Sequence, residues 1–321
     1  MSGSVESANP VAASSEEDVR IAAIDIGSNS VRLVVAQALP NKGYRILNEE
    51  RENTRLASIL ASTGSLSTTA MNQTLEALRN FLTIAEGFGA HEVQAIATSA
   101  VREAVNGRAF CERIQAELAL KIEVVSPQKE ARLAFLSVAR EFDVANRKVA
   151  VADIGGGSTE ISLASSGLIE HVYATNLGAV RLAEQCKVTS ECDKQGLDRL
   201  QQTIDRELKR TIGKPPFVPV MLFGIGGTFT CLSSMLLARQ EKIEETSCGF
   251  RTTRAELHPL IADLSQLSLE TRCKVAGLNP KRADIIIPGL MIIERVLQYL
   301  KLDVLQVHTR GVTDGLLLTM T

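Results

Sequence analysis

Two stretches of the chain hold the residue types that handle phosphate. Residues 23–36 read AIDIGSNSVRLVVA and residues 151–164 read VADIGGGSTEISLA. Both run apolar, Asp, Ile, Gly, two turn residues, Ser and apolar again, with Asp25 and Asp153 standing 128 positions apart. A glycine turn exposes backbone amides, and without a Cβ nothing keeps a phosphate from close approach. Gly27, Ser28, Asn29 and Ser30 in the first copy, and Gly155, Gly156, Gly157, Ser158 and Thr159 in the second, are therefore candidate phosphate-binding residues. Asp25 and Asp153 supply the oxygen ligands that Mg²⁺ prefers, commonly completed by water and substrate phosphate. One such hairpin could be a simple tight turn. Two copies imply two similar domains whose tips can face each other across a cleft. A third element, Gly224, Gly226, Gly227 and Thr228 in GIGGT, joins a strand to a helix. Phosphate or ribose could sit at that helix's positive end, although an ordinary strand–helix turn reads the same way.

These turns need elements to carry them. Ile21–Ile26 and Val31–Ala36 read as β-branched strands around the first turn, as do Val149–Asp153 and Thr159–Leu163 around the second. Thr68–Phe88 has helical spacing in Met71, Leu75, Leu78, Leu82 and Ala85. Val93–Ala97 is a strand, with Thr98-Ser99 able to cap a helix, and Ile122–Val125 is another. Ser126-Pro127 then opens a helix, Ser as N-cap and Pro in the first position. Its apolar stripe is Ala131, Ala134, Phe135, Val138, Ala139 and Phe142. Beyond it come strands Leu168–Tyr173, Val218–Phe223 and Val304–Val307, and helices near 178–187, 190–212, 227–239, 254–266 and 281–300, with a short last helix. Alternating β and α marks an α/β protein.

Composition narrows the rest. The 321 residues are 45% apolar, with 22 Gly and 9 Pro, which excludes a disordered or fibrous chain. The net charge is −2, so nucleic acid or membrane held over a broad basic surface is not expected. Residues 1–18 carry four acids and no base and read as a flexible tail, not a signal peptide. The remainder, with all 35 Lys and Arg and 33 of the 37 acids, is +2. No stretch reaches the ~18 apolar residues of a membrane span. The six cysteines show no CxxC pairing and the four histidines no metal-ligand spacing, so a soluble cytoplasmic protein is expected.

With these motifs the chain resembles the actin/heat-shock-ATPase/sugar-kinase superfamily, and within it the exopolyphosphatase/guanosine pentaphosphate phosphohydrolase (Ppx/GppA) family, in a short two-domain form. The supporting segments are 97–104 (ATSAVREA), 123–132 (EVVSPQKEAR), 176–181 (NLGAVR) and 278–284 (LNPKRAD). The resemblance implies two ribonuclease-H-like domains facing across a cleft. The expected division is residues 19–126, residues 127–300, and a segment 301–321 packing back on the first domain. It implies hydrolysis of the terminal phosphate of inorganic polyphosphate, or alternatively of guanosine pentaphosphate, with Mg²⁺ or another divalent cation as cofactor. A regulator that binds guanosine tetra- or pentaphosphate with little turnover, or a sugar or acetate kinase, would share the fold. Members of the family often dimerise.

The same resemblance selects residues. Glu130 matches the family's catalytic Glu, where its position alone would suit a first-turn acid complementing the helix dipole. Lys129 stands before it, where family members often have a second acid. Arg102 becomes a phosphate clamp, which sequence alone would leave as a surface helix residue. Glu160, two residues past the loop Ser as Arg32 is in the first hairpin, joins Asp25 and Asp153 at the metal, against the plain reading of an outward-facing strand charge. Short polyphosphate or weak processivity is the expected preference, since a charge of +2 gives no long basic track.

Overall fold

The computed structural model describes residues 19–40, 42–188, 192–242 and 244–321. The expected tail at 1–18 and the first positions of the helix expected from 190 lie outside the described residues. Eleven strands occur among the described residues: β1 (Arg20–Ile26), β2 (Val31–Leu39), β3 (Gly43–Glu52), β4 (Glu92–Ala97), β5 (Ile122–Val124), β6 (Lys148–Ile154), β7 (Thr159–Ser165), β8 (Leu168–Thr175), β9 (Met221–Ile225), β10 (Arg251–Thr253) and β11 (Val304–Val307). They form two sheets, ordered β3-β2-β1-β4-β5 and β10-β11-β9-β6-β7-β8. Each sheet has an antiparallel meander, β1–β3 or β6–β8, extended by parallel strands, β4 and β5 or β9 and β11. The sequence repeat is thus a repeat of topology.

Strand alternation assigns the faces. In β1, Ala22, Ile24 and Ile26 enter a core with the helices Thr68–Gly87 and Gly107–Leu118. Ile21 and Ala23 point the other way. In β6, Ala150, Ala152 and Ile154 pack under the helices of the second half, while Val149 and Val151 join Ile21 and Ala23. The middle core therefore lies between the sheets. Two helices complete it, Pro127–Glu141 through Leu133, Phe135 and Val138, and Val312–Met320 through Leu316 and Leu317. Ala139, expected on the apolar stripe, is exposed because its neighbour Val138 takes the inward position one residue earlier.

Other differences have local causes. The strand expected at Val218–Phe223 begins at Met221, since Val218 and Val220 face solvent. The run expected as one helix over 281–300 is a 3₁₀ turn, Pro280–Arg282, and then a helix, Ile286–Tyr299. Thr98 makes no side-chain cap, and the helix after it stops at Glu103. Strands β3 and β10 had no sequence reading: β3 is an edge strand with a mostly polar, half-exposed pattern, and β10 is three residues long.

The last helix is pinned by a buried charge. Asp314, fully buried, accepts from Arg32 Nη1 at 2.9 Å, Tyr44 Oη at 2.8 Å and the Gly311 amide at 3.0 Å. Burial alone would raise its pKa, but Arg32 and these donors hold it below the ordinary value. Arg32 is itself buried and also binds Glu49 at 2.9 Å. Breaking such a pair strands a charge. Asp314→Ala is expected to cost about 3 kcal/mol or more in urea unfolding, and a loss below about 1 kcal/mol would contradict that role.

Candidate active site

The alternation that builds the middle core also delivers the acids. Asp25 and Asp153 continue the inward-facing positions of β1 and β6 and stand near the strand ends, beside the glycine turns. Across the first hairpin Asp25 pairs in register with Arg32, and across the second Asp153 pairs with Glu160. The turns close alike: the Gly27 amide donates to the Ser30 carbonyl and the Gly155 amide to the Ser158 carbonyl, both at 3.0 Å. The tips touch. A Cβ on Gly157 would stand 2.8 Å from both Ser28 Oγ and Ser99 Oγ, so only glycine permits this approach. Gly226, at φ 101°, sits where a Cβ would meet Asp153 Oδ1 at 3.1 Å.

Glu130 comes from a third element. Ser126 caps its helix by accepting from the Lys129 amide, with Pro127 in the first turn as expected. Glu130, 7% exposed, turns inward, whereas Lys129 turns to Glu123 at 2.7 Å. Arg102 Nη1 donates to Glu130 Oε2 at 3.0 Å and to the Val125 carbonyl at 2.9 Å, and its Nη2 lies 3.9 Å from Glu160 Oε1. The guanidinium thus bridges two acids of the site.

Four carboxyl groups share this desolvated space. Burial pushes Asp25 up to about 6 against the pull of Arg32 and Arg51. Burial and then Asp25 push Asp153 up to about 7. Glu160 rises to about 8 through burial and Asp153, opposed by Ser158 and Arg102. Glu130 is raised well above the ordinary value by burial, Glu160 and Asp153, with Arg102 opposing. Asp25 Oδ1 and Glu160 Oε1 are buried without a hydrogen-bond partner. Among the described residues no three His, Cys, Asp or Glu side chains lie close enough to enclose a metal ion by themselves. A cation here would need water or phosphate oxygens to complete its shell.

Twelve of the residues singled out from the sequence border one open cleft: Asp25, Gly27, Ser28, Asn29, Ser30, Glu130, Asp153, Gly155, Gly156, Ser158, Gly226 and Gly227. Others stand behind its wall. Thr159 is fully buried and its hydroxyl donates to the Leu177 carbonyl. Arg181 holds the Gly157 carbonyl at 2.7 Å and pairs with Glu103. Thr228 is buried and accepts from Arg282 Nη2 at 3.2 Å. Gly224 packs against the Phe229 ring. Sequence reasoning missed Arg51 and gave no role to Arg282, although both line the cleft together with Arg32. Arg51 lies in the unread β3, while Arg282 lies inside the LNPKRAD segment, where a signal was available.

A duplicated sheet with a glycine turn in each half, and acids between the halves, defines a two-domain protein of the actin-like ATPase type. The family model described as the Ppx/GppA phosphatase family matches residues 34–321, and the chain belongs to that family. It is 27% identical over 314 residues to exopolyphosphatase 2 of Mycobacterium tuberculosis, covering 94% of this chain and 98% of that one. The crystal structure of the Aquifex aeolicus member of the Ppx/GppA family superposes with a TM-score of 0.78 at 28% identity, covering 94% of this chain and 97% of that one. An exopolyphosphatase structure from Cytophaga hutchinsonii gives 0.86 at 25% identity over the same shares. The chain is accordingly a phosphoric anhydride hydrolase.

The raised acids make stability depend on pH. A carboxyl whose folded pKa exceeds its unfolded value contributes stability that is complete below the unfolded value and lost as pH rises through the folded one. His308, whose pKa burial lowers, works in the opposite direction below its ordinary value of about 6.5. Between pH 6.5 and 8 the melting temperature of EDTA-treated protein is expected to fall, and Mg²⁺ is expected to raise it more at pH 8 than at pH 6.5. A flat or rising profile without metal would contradict the carboxyl assignment.

Proposed function

We propose that this hydrolase is an exopolyphosphatase that releases orthophosphate from the end of inorganic polyphosphate, with Glu130 activating the attacking water. The observation that carries the reading is Glu130 itself: a buried acid with raised proton affinity, oriented by Arg102 and bordering the cleft that the two glycine turns enclose. A general base works best with a pKa near the operating pH, and burial among other acids moves a carboxyl that way. The amides of Gly27–Ser30 and Gly155–Ser158 would cradle the terminal phosphoryl oxygens, and Arg51 and Arg282 would add positive potential.

The donor set fits a divalent cation. Asp25 Oδ1 and Glu160 Oε1 are hard oxygens buried without a hydrogen-bond partner, and Asp153 is electrostatically coupled to both acids. In this reading Asp25, Asp153 and Glu160 would hold Mg²⁺ in part through water and phosphate oxygens, and the cation would supply charge neutralisation for the transferring phosphoryl group. Arg102 keeps the Glu130 carboxylate aimed and limits its proton affinity, while Thr159 and Arg181 fix the second turn from behind. Short polyphosphate is the preferred substrate, because the cations gather at the reacting end and residues 19–321 carry only +2 overall. Six unpaired cysteines suit a reducing, cytoplasmic setting.

Phosphate release from polyphosphate, guanosine pentaphosphate and ATP, each with Mg²⁺ and with EDTA, tests the substrate. Polyphosphate is expected to be turned over fastest, and only with Mg²⁺. Glu130→Gln is expected to lower release by about 10³-fold while polyphosphate binding by calorimetry stays within about threefold. Wild-type-like release by that variant would remove Glu130 from the reaction.

A further inference from the structure

Residues 54–59 tie the two halves together in a way the chemistry above does not use. Leu56 and Ala57 are buried in the first core, and Leu60 follows them there. Arg55, just before them, and Ile59, just before Leu60, turn outward with φ of 48° and 62° and remain exposed. Left-handed backbone is unfavourable for a β-branched residue such as Ile59, and such strain persists only where the surroundings fix it.

Contacts on two sides do so. Toward the first half, the amides of Arg55 and Ala57 donate to the carbonyls of Asn29 and Ser28 at 3.1 and 2.9 Å. Those carbonyls belong to the tip of the first glycine turn. Toward the second half, the Arg55 guanidinium grips both Asp284 oxygens, at 2.7 and 3.2 Å, and reaches the Lys281 carbonyl at 3.3 Å. Lys281 and Asp284 flank Arg282, whose guanidinium lies against Gly227 and Thr228 at the cleft.

An exposed ion pair adds little to stability by itself. A bidentate fork, however, fixes orientation as well as distance. We propose that Arg55 is a positioning residue for phosphate release: by gripping Asp284 it holds the Ser28–Asn29 tip at the place where that tip meets the second glycine turn. The inference rests on the hydrolase reading above and assigns the setting of its first phosphate loop to a residue outside the cleft. A turn held in place presents its amides to the phosphoryl group without reorganising, and small misplacements of such groups are costly in rate.

The test uses the full chain as wild type, Arg55→Ala and Arg55→Lys. Arg55→Ala is expected to lower kcat for polyphosphate about tenfold with KM changed less than about threefold, and Arg55→Lys to recover part of the loss. Hydrogen exchange gives the independent readout: the Arg55 and Ala57 amides are expected to exchange at least about tenfold faster in Arg55→Ala. Unchanged exchange would overturn the proposal whatever the activity, and faster exchange with wild-type kcat would overturn the positioning role. If wild type releases no phosphate from polyphosphate, the hydrolase reading fails, while the exchange comparison still decides whether Arg55 holds the tip.

Discussion

Four carboxyl groups, the buried Glu130 and Glu160 and the half-buried Asp25 and Asp153, crowd the space between two sheets, and the rest of the molecule is arranged around that constraint. Burial raises the proton affinity of all four, Asp25 adds to it at Asp153, Asp153 at Glu160, and both Glu160 and Asp153 at Glu130. Placing like charges together costs free energy that a folded chain tolerates only where something offsets it. Arg102 offsets part, binding Glu130 directly and approaching Glu160. The orphaned oxygens of Asp25 and Glu160 mark what remains. A divalent cation together with a polyanionic substrate is the partner such a group suits, since neither alone matches both the acids and the glycine turns.

The duplication explains how so much charge is held without collapse. Each half brings one acid-bearing hairpin with one face on a core of its own and the other on the shared middle core. The middle core then fixes the distance between them, through Leu133, Phe135 and Val138 on one helix and Leu316 and Leu317 on the other. The two halves use equivalent strand positions differently. Where the second has Glu160, the first has Arg32, which turns to Asp314 and secures the last helix. One copy therefore contributes a further acid to the site, and the other contributes an anchor.

Much of this was legible in the sequence, for identifiable reasons. The two D-I-G hairpins announce themselves because tight turns and alternating strands are local features, and alternation alone sends Asp25 and Asp153 to the same face as Ile21 and Val149. Ser126-Pro127 located the Glu130 helix because capping is equally local. What stayed hidden depends on distant partners. Arg102, expected at phosphate, binds Glu130 and the Val125 carbonyl, and no spacing rule encodes that choice. Arg51 lies on an edge strand whose polar, half-exposed pattern carries no periodic signal. The ties Arg32–Asp314 and Arg55–Asp284 span 282 and 229 positions, beyond any local pattern.

The central claim is that these acids share protons near neutrality until a cation replaces them. Side-chain carboxyl titration by ¹³C NMR on metal-free protein measures this directly. A small set of carboxyls is expected to titrate between about pH 6 and 8, and to move down into the ordinary range of about 4 when Mg²⁺ is added. Carboxyls that all titrate below about 5 without metal, or a raised set indifferent to Mg²⁺, would contradict it.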